Sequence, residues 1–153
     1  MHTQRQFAGF VLFLALSFLQ ALGQASAPKA AAVLGPIDAM FRGMSERNPA
    51  AIKAAALPGT IMVLMREGKP EQMTIEAFAE HFSKPVKMHM EERIQDPLVR
   101  VDHDLAMVWA PFQFLVDGKP DHCGTDLFNL VHTDGKWLIA GIADTGSKNC
   151  PNQ

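Results

Sequence analysis

Residues 105–144, LAMVWAPFQFLVDGKPDHCGTDLFNLVHTDGKWLIAGIAD, decide the fold. Two Asp-Gly pairs, Asp117-Gly118 and Asp134-Gly135, each separate long apolar runs, which is the signal of a tight hairpin. Three consecutive antiparallel strands follow from this, over 105–116, 122–132 and 136–144. Pro111 lies inside the first and removes a ladder donor, so a bulge or an edge position is expected there. Alternation along the second places His122, Gly124, Asp126, Phe128 and Leu130 on one face. On the third, Leu138, Ala140 and Ile142 share a face that Asp144 extends.

Upstream the periodicity changes. After an Ala-rich lead-in over 28–34, Pro36 suits a helix first turn, and Ile37, Met40, Phe41 and Met44 recur at helical spacing. Asn48-Pro49 reads as the cap and first position of a second helix ending at Pro58-Gly59. Residues 60–65 read as a strand and 67–70 as a turn. A third helix starts at Thr74, stapled by Met73 and Phe78, buries Ile75, Phe78, Ala79 and Phe82, and stops at Pro85. Alternation over 86–94 then predicts a strand, with Val86, Met88 and Met90 on one face. Asp96-Pro97 interrupts, and 102–104 is a polar turn. Helices followed by a strand meander mean α+β, with a long bulged antiparallel sheet curling over three short helices. Between sheet and helices this leaves a concave pocket, the usual place for a ligand.

The 153 residues suffice for one domain. Residues 7–22 are free of charge, follow Arg5, and precede the small residues Gly23, Ala25, Ser26 and Ala27, the three-part pattern of a secretory signal peptide over 1–27. Its apolar core is shorter than a membrane span requires. The domain is then 28–150, periplasmic or secreted, with no membrane contact after cleavage. The chain has 14 basic and 16 acidic residues, and a nucleic-acid binder would need a basic surface. Two cysteines, Cys123 and Cys150, are an even pair in an exported chain and are expected to form a disulfide. The histidines show no metal-ligand spacing, so neither a metal nor another cofactor is expected.

The run 105–112, followed by Asp117-Gly118-Lys119, residues 122–128, Gly135-Lys136-Trp137-Leu138-Ile139 and Ala143-Asp144-Thr145, resembles the nuclear transport factor 2-like superfamily. That is the cone-shaped α+β roll, also described as cystatin-like, shared by ketosteroid isomerase and SnoaL-like polyketide cyclases. The similarity is closest to an exported, lumazine-binding-like branch, and it covers about residues 33–146. It implies a curved sheet around three N-terminal helices and a small-molecule cavity. In the isomerase, an acid on a pocket-facing strand is kept protonated and donates to a developing enolate. Asp126-Leu127-Phe128 matches its place. The isomerase's tyrosine and carboxylate base have no counterpart, because this chain has no tyrosine and 60–65 holds no acid.

The candidate site gathers Trp109, Phe112, Phe114, His122, Asp126, Phe128, Ile142 and Asp144 around the pocket. Asp126, His122 and Asp144 are the candidates for proton transfer. An aspartate among apolar side chains has a raised pKa, and His122 is its expected partner. Trp109, just before Pro111, is expected to turn into the pocket mouth and stack a flat ligand. The functional reading is a domain binding a small apolar or aromatic molecule. Two alternatives stand beside it: a lyase, cyclase or isomerase, and a homodimerising interaction domain.

Overall fold

The computed structural model describes residues 25–150. The leader expected over 1–27 lies outside the described residues except for its last three. The elements run α1 (Ala27–Ser45), α2 (Pro49–Ala54), β1 (Ile61–Arg66), β2 (Lys69–Thr74), α3 (Ile75–Glu80), β3 (Met90–Ile94), β4 (Leu98–Asp102), β5 (Leu105–Val116), β6 (Lys119–Thr133) and β7 (Lys136–Gly146). They form one sheet in the order β2-β1-β7-β6-β5-β3, with β4 also paired to β5. The α+β architecture is as expected. The sheet, however, is mixed, because β1 runs parallel to β7. A chain that leaves β1 and returns to its neighbour only at β7 is free to arrive in either direction, so the hairpin signals could not decide this pairing.

Helix α1 begins more than two turns before the expected start. Its Ala-rich first turns carry the highest helix propensity, and Pro28, not Pro36, takes the first-turn position. Pro36 sits in the interior, where it lacks the usual donor. A proline ring also crowds the Cβ of the residue before it, and Gly35 has none. The buried stripe is Val33, Ile37, Met40, Phe41 and Met44. Asn48 caps α2 by accepting from Ala51 N at 3.1 Å, and Thr74 caps α3 by accepting from Ala77 N at 3.2 Å.

The stretch read as a turn into α3 holds a further strand. β1 and β2 form a hairpin closed by Glu67-Gly68, both at positive φ. Asp117-Gly118 and Asp134-Gly135 do the same between β5, β6 and β7. The strand expected over 86–94 starts only at Met90, and Val86 and Met88 are exposed.

Pro111 produces no bulge. Its carbonyl accepts from Gln95 N at 2.8 Å, in the connection between β3 and β4. A strand residue's N and O point the same way, so the missing donor faces the gap where β5 changes neighbours from β4 to β3. The irregularities lie elsewhere. Between β5 and β6 the register shifts at Phe114/Leu115 and leaves Asp121 as the extra residue. Between β6 and β7 it shifts at Asn129/Leu130 and leaves Ala140 extra. The second shift corrects the expected face of β7: Ile139, Ile142 and Asp144 are buried, not the Leu138–Ala140–Ile142 series.

The core fills the concave side of the sheet. Val99, Val108, Phe128, Leu130 and Ile139 meet Val33, Ile37 and Met44 of α1, and Ile52 and Ile75 close the flank. Among the described residues no helix is long and apolar enough to cross a membrane.

Candidate functional site

A cavity of about 160 Å³ lies between the sheet and α1 and α3. Its helical side is Met40, Met44 and Phe78, joined by Phe82 from the turn after α3. Its sheet wall includes Met62, Leu64, Phe114, Phe128 and Ile142. Five polar residues complete it: Arg66, Glu92, His122, Asp126 and Asp144. Alternation explains most of this set. Met62, Leu64 and Arg66 share a face of β1, and Met90, Glu92 and Ile94 share a face of β3.

Asp126 and Asp144 are directly opposed partners on β6 and β7. They are 3% and 8% exposed. Like charges opposed across a sheet repel, and the two are stabilised differently. Asp144 is held by Arg66 through a bidentate pair, Nη1 to Oδ1 and Nη2 to Oδ2, both 2.7 Å. Met65 N donates to Asp144 Oδ1 at 3.1 Å. That pairing raises the Arg66 guanidinium above its ordinary value, the hydrogen bond to Asp144 being the largest cause.

Asp126 has no such cation. Its carboxyl is pushed up to about 7, chiefly by burial and further by the Asp144 charge, while Glu92 and Arg66 act the other way. Glu92 is only partly buried as a residue, but its carboxyl is sequestered. Desolvation first, then the charge of Asp126, holds it well above the carboxylate range. The Glu92 and Asp126 carboxyls lie within hydrogen-bonding reach of each other. Two carboxyls this close can bond only through a proton, and the raised values of both keep the pair protonated below about pH 7. Asp126 Oδ2 is buried with no protein partner.

His122 lines the cavity but does not pair with Asp126, correcting that expectation. Its Nδ1 lies 2.9 Å from Asp121 Oδ2, and Asp121 also accepts from Lys148 Nζ at 2.9 Å. The bulge at Asp121 turns that carboxylate beside the imidazole. The His122 ring stacks on Phe114 with centroids 4.8 Å apart. Arg66 and His122 also border an outer groove with Lys69, Glu71, Asp121 and Lys148, so they stand at the boundary between cavity and surface.

Six of the eight expected pocket residues therefore meet at one place: Phe114, His122, Asp126, Phe128, Ile142 and Asp144. Trp109 does not. It lies on the opposite face of β5 from buried Val108 and Ala110 and is 48% exposed, because no bulge at Pro111 re-aims it. Phe112 is buried but does not line the cavity. It packs against the His122 ring at 5.7 Å and over Gly124. A Cβ on Gly124 would collide with the Thr145 carbonyl and the Phe112 ring. Sequence reasoning missed Arg66 and Glu92. Carrying the alternation of β1 one residue further, and that of β3 from Met88 and Met90 onward, would have found both.

Cys123 and Cys150 form a disulfide with Cα atoms 5.6 Å apart. Cys123 and Ser147 exchange backbone bonds of 3.0 and 2.9 Å, so the tail is tied to β6. Among the described residues no group of three or more His, Cys, Asp or Glu is arranged to hold a metal ion.

A curved mixed sheet folded over N-terminal helices, with polar side chains at the base of an apolar hollow, defines the nuclear transport factor 2-like class. The chain belongs to the family described as "Putative lumazine-binding", whose model matches residues 28–141. Solved structures share the fold. An NTF2-like protein of unknown function from Shewanella baltica is 13% identical, with 83% of this chain and 100% of that chain covered, at a TM-score of 0.63. An NTF2-like protein from Cytophaga hutchinsonii is 14% identical over 80% and 100% of the two chains, at 0.65. A protein of unknown function with a cystatin-like fold from Nostoc punctiforme is 8% identical over 84% and 98%, at 0.66. Among curated proteins none matches this chain.

Proposed function

We propose that this chain is an exported domain that binds a small, mostly apolar or aromatic molecule in the cavity between sheet and helices. The observation that carries the reading is the cavity itself, walled by thioether and aromatic side chains with a few acids on one side. The family description points to the same kind of ligand. Export is supported by the leader pattern over 1–27 and by the disulfide, a bond that persists in oxidising compartments. On this reading the mature domain is 28–150, placed in the periplasm or the medium.

The test is a thermal-shift and calorimetric screen of lumazine and single-ring aromatic compounds on the wild type and on Leu64→Phe, which fills the cavity. Saturable binding that Leu64→Phe abolishes, while that variant still melts cooperatively, is the expected result. Binding by none of the compounds, or binding undiminished in Leu64→Phe, would refute the reading.

One observation favours a second reading, proton transfer in a lyase, cyclase or isomerase. Asp126 titrates at about 7 beside Glu92, the range in which an acid–base group works best at neutral pH. Asp126→Asn would then abolish turnover without loss of fold. A homodimer through the outer sheet face, where Trp109 and Leu105 are exposed, is a third reading. Sedimentation equilibrium tests it, and a monomer at high micromolar concentration would remove it.

A further inference from the structure

We infer that the Asp126–Glu92 pair makes this cavity selective for a small planar cation with adjacent N–H donors, an amidine or a 2-amino nitrogen heterocycle. The inference rests on the reading that the cavity is a ligand site, and it specifies the ligand's chemistry.

The first ground is an unfilled bond. Asp126 is almost wholly buried, lines the cavity, and carries an Oδ2 that no amide, hydroxyl or cationic donor of the described residues reaches. A buried acceptor without a donor is costly, and a native site that keeps one is poised for a partner from outside.

The second ground is charge. The only cation on the cavity wall among the described residues is Arg66. Both its terminal nitrogens are committed to Asp144, and Nη1 also donates to the Met65 carbonyl at 2.9 Å. His122 is engaged at Nδ1 by Asp121. The helices and the turn after α3 present only Met40, Met44, Phe78 and Phe82. Asp144 and Arg66 neutralise each other, which leaves Asp126 and Glu92 as an acid pair with no dedicated counter-ion.

The third ground is shape. Two carboxyls side by side are bridged by a proton only in the absence of a better donor. A planar fork of two N–H groups matches carboxylate geometry bidentately, whereas an ammonium is a point charge without that fit. The ring bearing the fork would lie against Phe114, Phe128 and Met44, whose aromatic faces and polarisable sulfur suit a cationic π-system. A volume of about 160 Å³ suits a single ring best.

Occupation by such a cation favours the ionised form of both carboxyls, so binding releases the protons that the free pair holds. Affinity must therefore rise with pH while the pair is still protonated in the free protein.

The probes are benzamidine, cationic throughout, and benzamide, its neutral isostere. Calorimetry on the full chain at pH 6 and pH 8, in two buffers of different ionisation enthalpy, reads affinity and proton count together. Expected are saturable benzamidine binding, benzamide at least tenfold weaker, several-fold tighter benzamidine binding at pH 8 than at pH 6, and proton release at pH 6. Asp126→Asn and, independently, Glu92→Gln should each erase most of the preference while keeping a cooperative melt. Benzamide binding as tightly as benzamidine overturns the inference and leaves the cavity reading standing, as does a preference unchanged in both variants. Absence of benzamidine binding also overturns it. The fate of the cavity reading is then decided by the neutral aromatic screen alone.

Discussion

Replacing Asp126 with asparagine should make the protein more stable at neutral pH and remove most of a pH dependence the wild type must show. Asp126 is 3% exposed, so solvent screening does not dilute its burial. In the unfolded chain it titrates as an ordinary aspartate, at about 3.9. In the fold it is pushed up to about 7. The raised value means that the fold prefers the protonated acid. The associated stability is fully present below about pH 4 and is lost as pH climbs through about 7. At about 1.4 kcal/mol for each unit between those values, the loss is on the order of 4 kcal/mol, shared with Glu92 because the two titrate as a pair. An asparagine amide can donate to Glu92 as the shared proton does, but it carries no charge to bury. Urea unfolding of wild type and Asp126→Asn at intervals from pH 4.5 to pH 8 is the assay. The curves should converge near pH 4.5 and separate by about 2–4 kcal/mol at pH 8, with the variant the more stable. Parallel curves across that range, or a variant less stable than wild type at pH 8, would refute the carboxyl-pair argument.

Arg66→Ala should destabilise by about 3 kcal/mol, because it leaves Asp144 buried and charged without its bidentate partner. The double replacement Arg66→Met with Asp144→Leu should recover most of that in the same urea assay; no recovery would mean that the arginine acts through packing alone. Reduction of the Cys123–Cys150 bond, or Cys150→Ser, should lower stability by roughly 3–4 kcal/mol from the loop it closes, and equal urea midpoints with and without reductant would contradict this. Gly124→Ala should cost more than about 2 kcal/mol, since its methyl meets the Thr145 backbone carbonyl, which cannot move aside as a side-chain end would. A melt like the wild type's would show that β6 and β7 separate there without strain.

The alternation on β6, the Asp-Gly turns and the helical stripe of α1 are local patterns, and the chain alone was enough to read them. They placed Asp126, Phe128 and His122 on one inward face and assigned the α+β class correctly. The cysteine pair was legible too, because two cysteines allow only one pairing within the chain. What could not be read locally depends on which distant segments become neighbours. A bulge moves one residue out of a two-residue repeat, so Ala140 reverses the face of β7, and nothing in its own identity announces this. Pro111 found its gap between β3 and β4 and left Trp109 facing outward. The parallel closure of β1 on β7 brings Arg66 to Asp144 across 78 residues of chain, and the bend of the sheet brings Glu92 on β3 to Asp126 on β6. Charges that meet only through tertiary pairing leave no spacing in the sequence. The acid that stays partnered and the acid left with an empty bond were therefore distinguished only in the folded molecule.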